Sequence, residues 1–122
     1  MLVCLATYGN RLSSLLENAS ELRFFEVRQA LVTARGFGPM PKGGPAALTE
    51  SLLAAGVKTL VCGALGENYA EVLRKAGIKI TGWVGGEVEA VTASLAEGRL
   101  DKICLPGHPR RGIRSSPQEG QD

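Results

Sequence analysis

Three Phe, two Tyr, one Trp, one His and three Cys are all that this 122-residue chain carries of the side chains that stack bases, relay protons or bind soft metals. The single imidazole, His108, lies in a Pro- and Gly-rich end segment. General acid-base chemistry needs a positioned base, so no Ser/His/Asp or Cys/His nucleophile set is expected and the protein is not read as an enzyme. An odd number of cysteines without paired spacing argues against a secreted disulfide framework and for a reducing, cytoplasmic setting. No apolar run approaches the roughly 18 residues of a membrane span. Residues 2–6 have neither a basic segment before them nor the length of a signal-peptide core, so a soluble, untargeted protein with no membrane partner is expected. A net charge of +2 is too small to imply nucleic acid. Arg110, Arg111 and Arg114 form a short basic run without aromatics for bases to stack on, so nucleic acid is not expected as a partner.

What is present suits one domain with a real core, since 44% of the residues are apolar. Leu2-Val3-Cys4-Leu5-Ala6 is continuous rather than alternating, the pattern of a central strand covered on both faces. Residues 12–20 read as a loop or short turn as readily as a helix. Alternation over 22–27 and β-type residues at 31–33 predict two antiparallel strands, and the absence of Asn-Gly between them leaves their register open. Residues 36–45 hold four Gly and three Pro and predict a surface loop. Three helical stretches follow at 46–55, 67–76 and 86–97, closed by Gly56, Gly77 and Gly98 at C′ positions. Strands at 59–62 and 78–81 fill the gaps between them. The order βββαβαβα makes an α/β domain, a mixed sheet of about five strands with helices on both faces. Residues 1–105 are taken as that domain and residues 106–122, with Pro106, Pro109 and Pro117, as a flexible tail.

Ligands of open α/β sheets bind outside the carboxyl ends of the strands. Here that edge brings Thr7, Asn10 and Arg11 beside the turn Cys62-Gly63-Ala64-Leu65-Gly66. The turn feeds a helix N-terminus, where free N–H groups and a thiolate could hold an anion or a cluster sulfide. The favoured reading is a small buried Cys in a tight turn, since free Cys is among the most buried residue types, and the turn is neither a Walker loop nor G-x-G-x-x-G. Cys104 and His108, spaced Cys-x-x-x-His, are near enough to chelate one soft or borderline metal, yet two donors do not complete a site. The arginines beyond them are either an anion clamp or a solvated end. Cys4 and Trp83 are read as core and core edge.

Several segments resemble the dinitrogenase iron-molybdenum cofactor biosynthesis family, domains of the small NifX and NifB C-terminal type. Residues 61–68 with Leu73 and Ala76-Gly77-Ile78 are similar to that family's strand, turn and helix. Residues 86–91 with Gly98-Arg99-Leu100 resemble its last helix, and Cys104-Leu105-Pro106-Gly107 resembles its tail. The resemblance implies a three-layer ribonuclease-H-like motif and a non-catalytic carrier or scaffold for an anionic metal-sulfur cluster of the iron-molybdenum cofactor precursor type. It implies an iron-sulfur or molybdenum-containing sulfide cluster as the group bound, and a donor or acceptor protein as partner. The alternative is a protein-interaction or regulatory domain that kept the fold and lost the cluster. Two loop histidines carried by many members are missing, since the corresponding stretches read Ser14-Leu15-Leu16-Glu17-Asn18 and Met40-Pro41-Lys42-Gly43-Gly44. Nuclease chemistry on the same fold needs carboxylates converging from the strands, and neither 2–7 nor 59–62 holds an Asp or Glu.

Overall fold

Strand β1 (Leu2–Tyr8) is the spine of the molecule, and Val3, Cys4, Leu5, Ala6 and Thr7 are all fully buried. The structure, a computed structural model, describes residues 1–98. Side chains alternate across a strand, so β1 feeds two separate cores. Cys4 and Ala6 pack with Leu48 and Leu52 of α1 (Gly44–Ala55) and Leu73 of α2 (Glu67–Lys75). Val3 and Leu5 pack on the opposite face with Val88 and Val91 of α3 (Val88–Glu97). Each fully buried Leu or Val contributes about 1.5–3 kcal/mol, which is why an uninterrupted apolar strand belongs at the centre.

On one side β1 pairs antiparallel with β3 (Glu21–Arg28), which pairs antiparallel with β4 (Leu31–Pro39). On the other side it pairs parallel with β5 (Thr59–Val61), and β5 with β6 (Lys79–Thr81). The sheet order is β4-β3-β1-β5-β6, with a two-residue strand β2 (Arg11–Leu12) added against β1. The mixed sheet with helices on both faces is therefore present, with six strands rather than about five.

The stretch 12–20, read as a loop or short turn as readily as a helix, holds a 3₁₀ turn at Leu16–Asn18, and its first residue, Leu12, joins Arg11 of the loop before it as β2. Two local expectations are corrected. Residues 36–39, expected in a loop, extend β4: Phe24 pairs with Gly36 and Phe25 with Ala34, so Arg35 is the extra residue of a bulge, and Gly36 takes φ +134 there. An edge strand has one unpaired side, so Pro39 at its end costs no ladder hydrogen bond. The helix starts also move, to Gly44 with Pro45 in the first turn and to Val88. Cys104, His108 and the tail lie outside the described residues.

Candidate functional site

Because β1, β5 and β6 are parallel, their carboxyl ends share one edge, and backbone hydrogen bonds stitch the loops that leave it. Thr7 pairs with Glu21 of β3 on one flank and with Leu12 of β2 on the other, so β2 takes the flank of β1 that β5 vacates after Val61. The Leu12 N–H donates to the Gly86 carbonyl at 2.9 Å, and the Val88 N–H to the Asn10 carbonyl at 2.8 Å. Between these layers the Cys62–Ala64 stretch is bonded on both sides. Cys62 donates to the Thr81 carbonyl and accepts from the Val84 N–H; Ala64 donates to the Ser14 carbonyl and accepts from the Leu16 N–H.

That double stitching closes over Cys62. Its side chain is fully buried, and burial, with the Glu17 carboxylate adding, pushes the thiol up to about 12. The Cys4 thiol is raised as well, by burial first and then by Cys62. A Cβ on Gly66 would stand 2.9 Å from Glu17 Oε2, so the turn before α2 already has a carboxylate beside it. Both thiols are therefore neutral at physiological pH. The unfolded chain ionises these groups near their ordinary value of 9.0, while the folded chain keeps them protonated to higher pH. Folded protein then binds more protons than unfolded, so stability falls as pH rises above about 9, on the order of 1 kcal/mol per pH unit for each thiol. Urea unfolding between pH 8 and 11 is expected to show this fall, shallower in Cys62→Ala; identical slopes in parent and variant would contradict the burial effect.

Asn10 and Arg11 remain on the open side. Arg11 is exposed and lines a cleft of about 270 Å³ with Tyr8, Leu12, Ser13, Ser14 and Asn18. Asn10 faces a second cleft of about 350 Å³ with Arg23, Glu87 and Glu89. The Arg23 guanidinium ties this corner together, donating to Glu21 Oε1 at 3.0 Å, the Gly9 carbonyl at 2.9 Å and Asn10 Oδ1 at 3.3 Å. A single exposed guanidinium among hydroxyls and an amide suits an anion better than a bare cation.

The sequence profile of the family described as dinitrogenase iron-molybdenum cofactor matches residues 1–98. The chain belongs to that family. A search of curated proteins found no match. Among solved structures it is similar to PH0822, at 18% identity and a TM-score of 0.74 over 81% of this chain and 93% of that one. It is also similar to a Methanococcus jannaschii protein provisionally assigned as a dinitrogenase, at 16% identity and a TM-score of 0.64 over 89% and 95% of the two chains. A Thermotoga protein provisionally assigned as NifB and placed in the DUF35 family is 24% identical, with a TM-score of 0.60 over 80% and 89%. At these identities the likeness is one of fold.

On this dinitrogenase-cofactor fold, six of the eight site residues expected from sequence fall within the described residues; they lie at one edge of the sheet, in two settings. Thr7 is buried, its Oγ1 donating to the Glu21 carbonyl at 3.2 Å, and Cys62 and Gly63 lie under the 13–16 segment. Gly66 is half-buried beside Glu17. Only Asn10 and Arg11 are exposed. Among the described residues no group of three or more His, Cys, Asp or Glu is placed to hold a metal ion. Sequence reasoning missed Tyr8, Ser13, Ser14 and Asn18 as lining residues, and Glu17 as the neighbour of Cys62. Trp83, half-buried at φ +62, lines a separate cleft with Leu65, Arg74 and Ile80.

Proposed function

We propose that this family member is a non-catalytic carrier or scaffold for an anionic metal-sulfur cluster of the iron-molybdenum cofactor precursor type, received at the carboxyl edge of β1. The observation that carries this reading is the exposed Arg11 in a cleft of hydroxyl and amide groups, on a chain of that family. The cluster is cargo, exchanged with a donor or acceptor protein in the cytoplasm. Arg11 and Asn10 supply charge-assisted and neutral hydrogen bonds to its anionic sulfides. Metal bonds come from Cys104 and His108, since the two described thiols are covered and protonated at neutral pH. Thr7, Gly63 and Gly66 shape the edge, and Cys62 becomes a further donor only when the 13–17 segment lifts.

A second reading, an interaction or regulatory domain without cargo, is favoured by the closure over Cys62 and by the lack of a metal-binding group among the described residues. One titration separates the two. Tetrathiomolybdate added to the full-length protein is expected to bind with a shifted visible spectrum, and Arg11→Gln to weaken binding about tenfold, the effect of one charged hydrogen bond. No spectral change with the parent protein hands the case to the interaction reading.

A further inference from the structure

The face of the sheet toward α3 is only partly covered. On that face β3 presents Arg23, Phe25 and Val27, and their β4 partners are Phe37, Ala34 and Val32. Phe25, Val27 and Leu95 of α3 pack against the second core. Nearer Val88 the helix and the hairpin leave a groove of about 720 Å³, lined by Phe25, Ala34, Phe37, Val88 and Thr92, with Glu21, Arg23 and Glu89 as its charged members. Phe37 is 73% exposed, more than any other large apolar side chain of the described residues. An aromatic so open beside a groove this apolar calls for an occupant.

The chain itself supplies one. The α3 helix starts at Val88, whose N–H donates to the Asn10 carbonyl at the carboxyl edge of β1, and towards its other end Leu95 packs against the same core as Val27, whose N–H donates to the Met1 carbonyl at the amino end of that strand. Gly98 closes the helix in the left-handed conformation. The next residues are Arg99-Leu100-Asp101-Lys102-Ile103-Cys104-Leu105; Ile103 and Leu105 fall on one face of an extended chain, and two cations with one anion (Arg99, Lys102, Asp101) complement the two carboxylates and one guanidinium that line the groove. Ten helical residues span about 15 Å, whereas six extended residues reach about 20 Å, so Cys104 can return from Gly98 to the level of Asn10.

We propose that residues 99–105 lie extended along the groove between α3 and the β3–β4 hairpin, Ile103 and Leu105 against Phe25, Ala34 and Phe37, and that this course carries Cys104 and His108 to Asn10 and Arg11. The docking stands by itself; the use made of Cys104 and His108 rests on the cargo reading above. It also sets the end of the domain at residue 105, past the last helix.

Amide exchange and chemical shifts on the full-length, metal-free protein test it. Amides 100–105 are expected to exchange at least about tenfold more slowly than an unstructured chain, and Phe37→Ser to return them to the unstructured rate. Phe37 belongs to neither core cluster, so that variant keeps the fold. In the converse variant, Ile103→Ser with Leu105→Ser, shifts are expected at Phe25, Ala34, Phe37 and Thr92 and not at Leu65 or Gly82. Nuclear Overhauser contacts between the Leu105 and Val88 methyls fix the direction of the course. Unstructured exchange rates in the parent, groove amides that ignore the double variant, or missing Leu105 contacts overturn the proposal. Groove shifts that depend on protein concentration overturn it in favour of a second copy. No metal enters these measurements, so their failure leaves the tetrathiomolybdate titration to judge the cargo reading separately.

Discussion

A Cys104→Ser, His108→Ala double variant is expected to lose tetrathiomolybdate uptake by roughly a hundredfold or more while keeping the parent's melting temperature. The whole chain holds three thiols and one imidazole. Two of the thiols, Cys4 and Cys62, are fully buried and shifted toward the neutral form, and a thiol must lose its proton to bind a soft metal. Neither the loop 14–18 nor the loop 40–44 holds a histidine. Cys104 and His108 are then the remaining thiol and imidazole donors, and losing both removes the thiolate and imidazole bonds the protein can make to a soft metal with its fold closed. The contrast with Arg11→Gln is one of kind. Loss of the arginine removes a hydrogen bond and leaves the metal bonds, so the expected defect is about ten times smaller. Cys62→Ala is expected to bind as the parent does. Uptake that survives the double variant and fails in Cys62→Ala would instead mean that the 13–17 segment opens and Cys62 is the working donor.

The parts of this architecture legible in the sequence are those written in side-chain chemistry. An unbroken Leu2–Ala6 run announced a strand buried on both faces, and three glycines closed three helices, all with positive φ. The hairpin turn was illegible because Gln29 and Ala30 both take positive φ without Asn or Gly to signal it; pairing of eight residues on each side imposes the turn. The continuation of β4 through Gly36 and Pro39 was hidden for a related reason, since a bulged edge strand tolerates breakers that a central strand rejects. Asn10 and Arg11 could be picked out as the exit of the first strand. The cover over Cys62 could not, because Ser14 and Ala64 meet through backbone groups some fifty residues apart, and backbone contacts leave no residue signature.

Gly63→Ala is expected to cost about 2–4 kcal/mol of stability, out of proportion to one methyl group. The φ of Gly63 lies outside the left-handed region, so an alanine meets no dihedral penalty there, and the requirement is for space. An added Cβ would run into the Ser13 carbonyl oxygen and stand 2.6 Å from that of Ser14, both backbone atoms with no rotamer to yield. Relief requires the 13–16 segment to move off the turn, which stretches the bonds of Ala64 to Ser14 and of Leu16 to Ala64 and strips the cover from Cys62. The same variant is therefore expected to raise the rate at which Cys62 reacts with a thiol reagent by at least about tenfold, since accessibility rises with local opening. Gly82→Ala is the matched control. Its nearest neighbour is Leu65 Cδ2 at 3.1 Å, the free end of a side chain that can swing aside, so a cost below about 1 kcal/mol and no change at Cys62 are expected. A small cost at both glycines would show that the 13–16 segment rests loosely on the turn, and Cys62 would then re-enter as a donor available without an opening step.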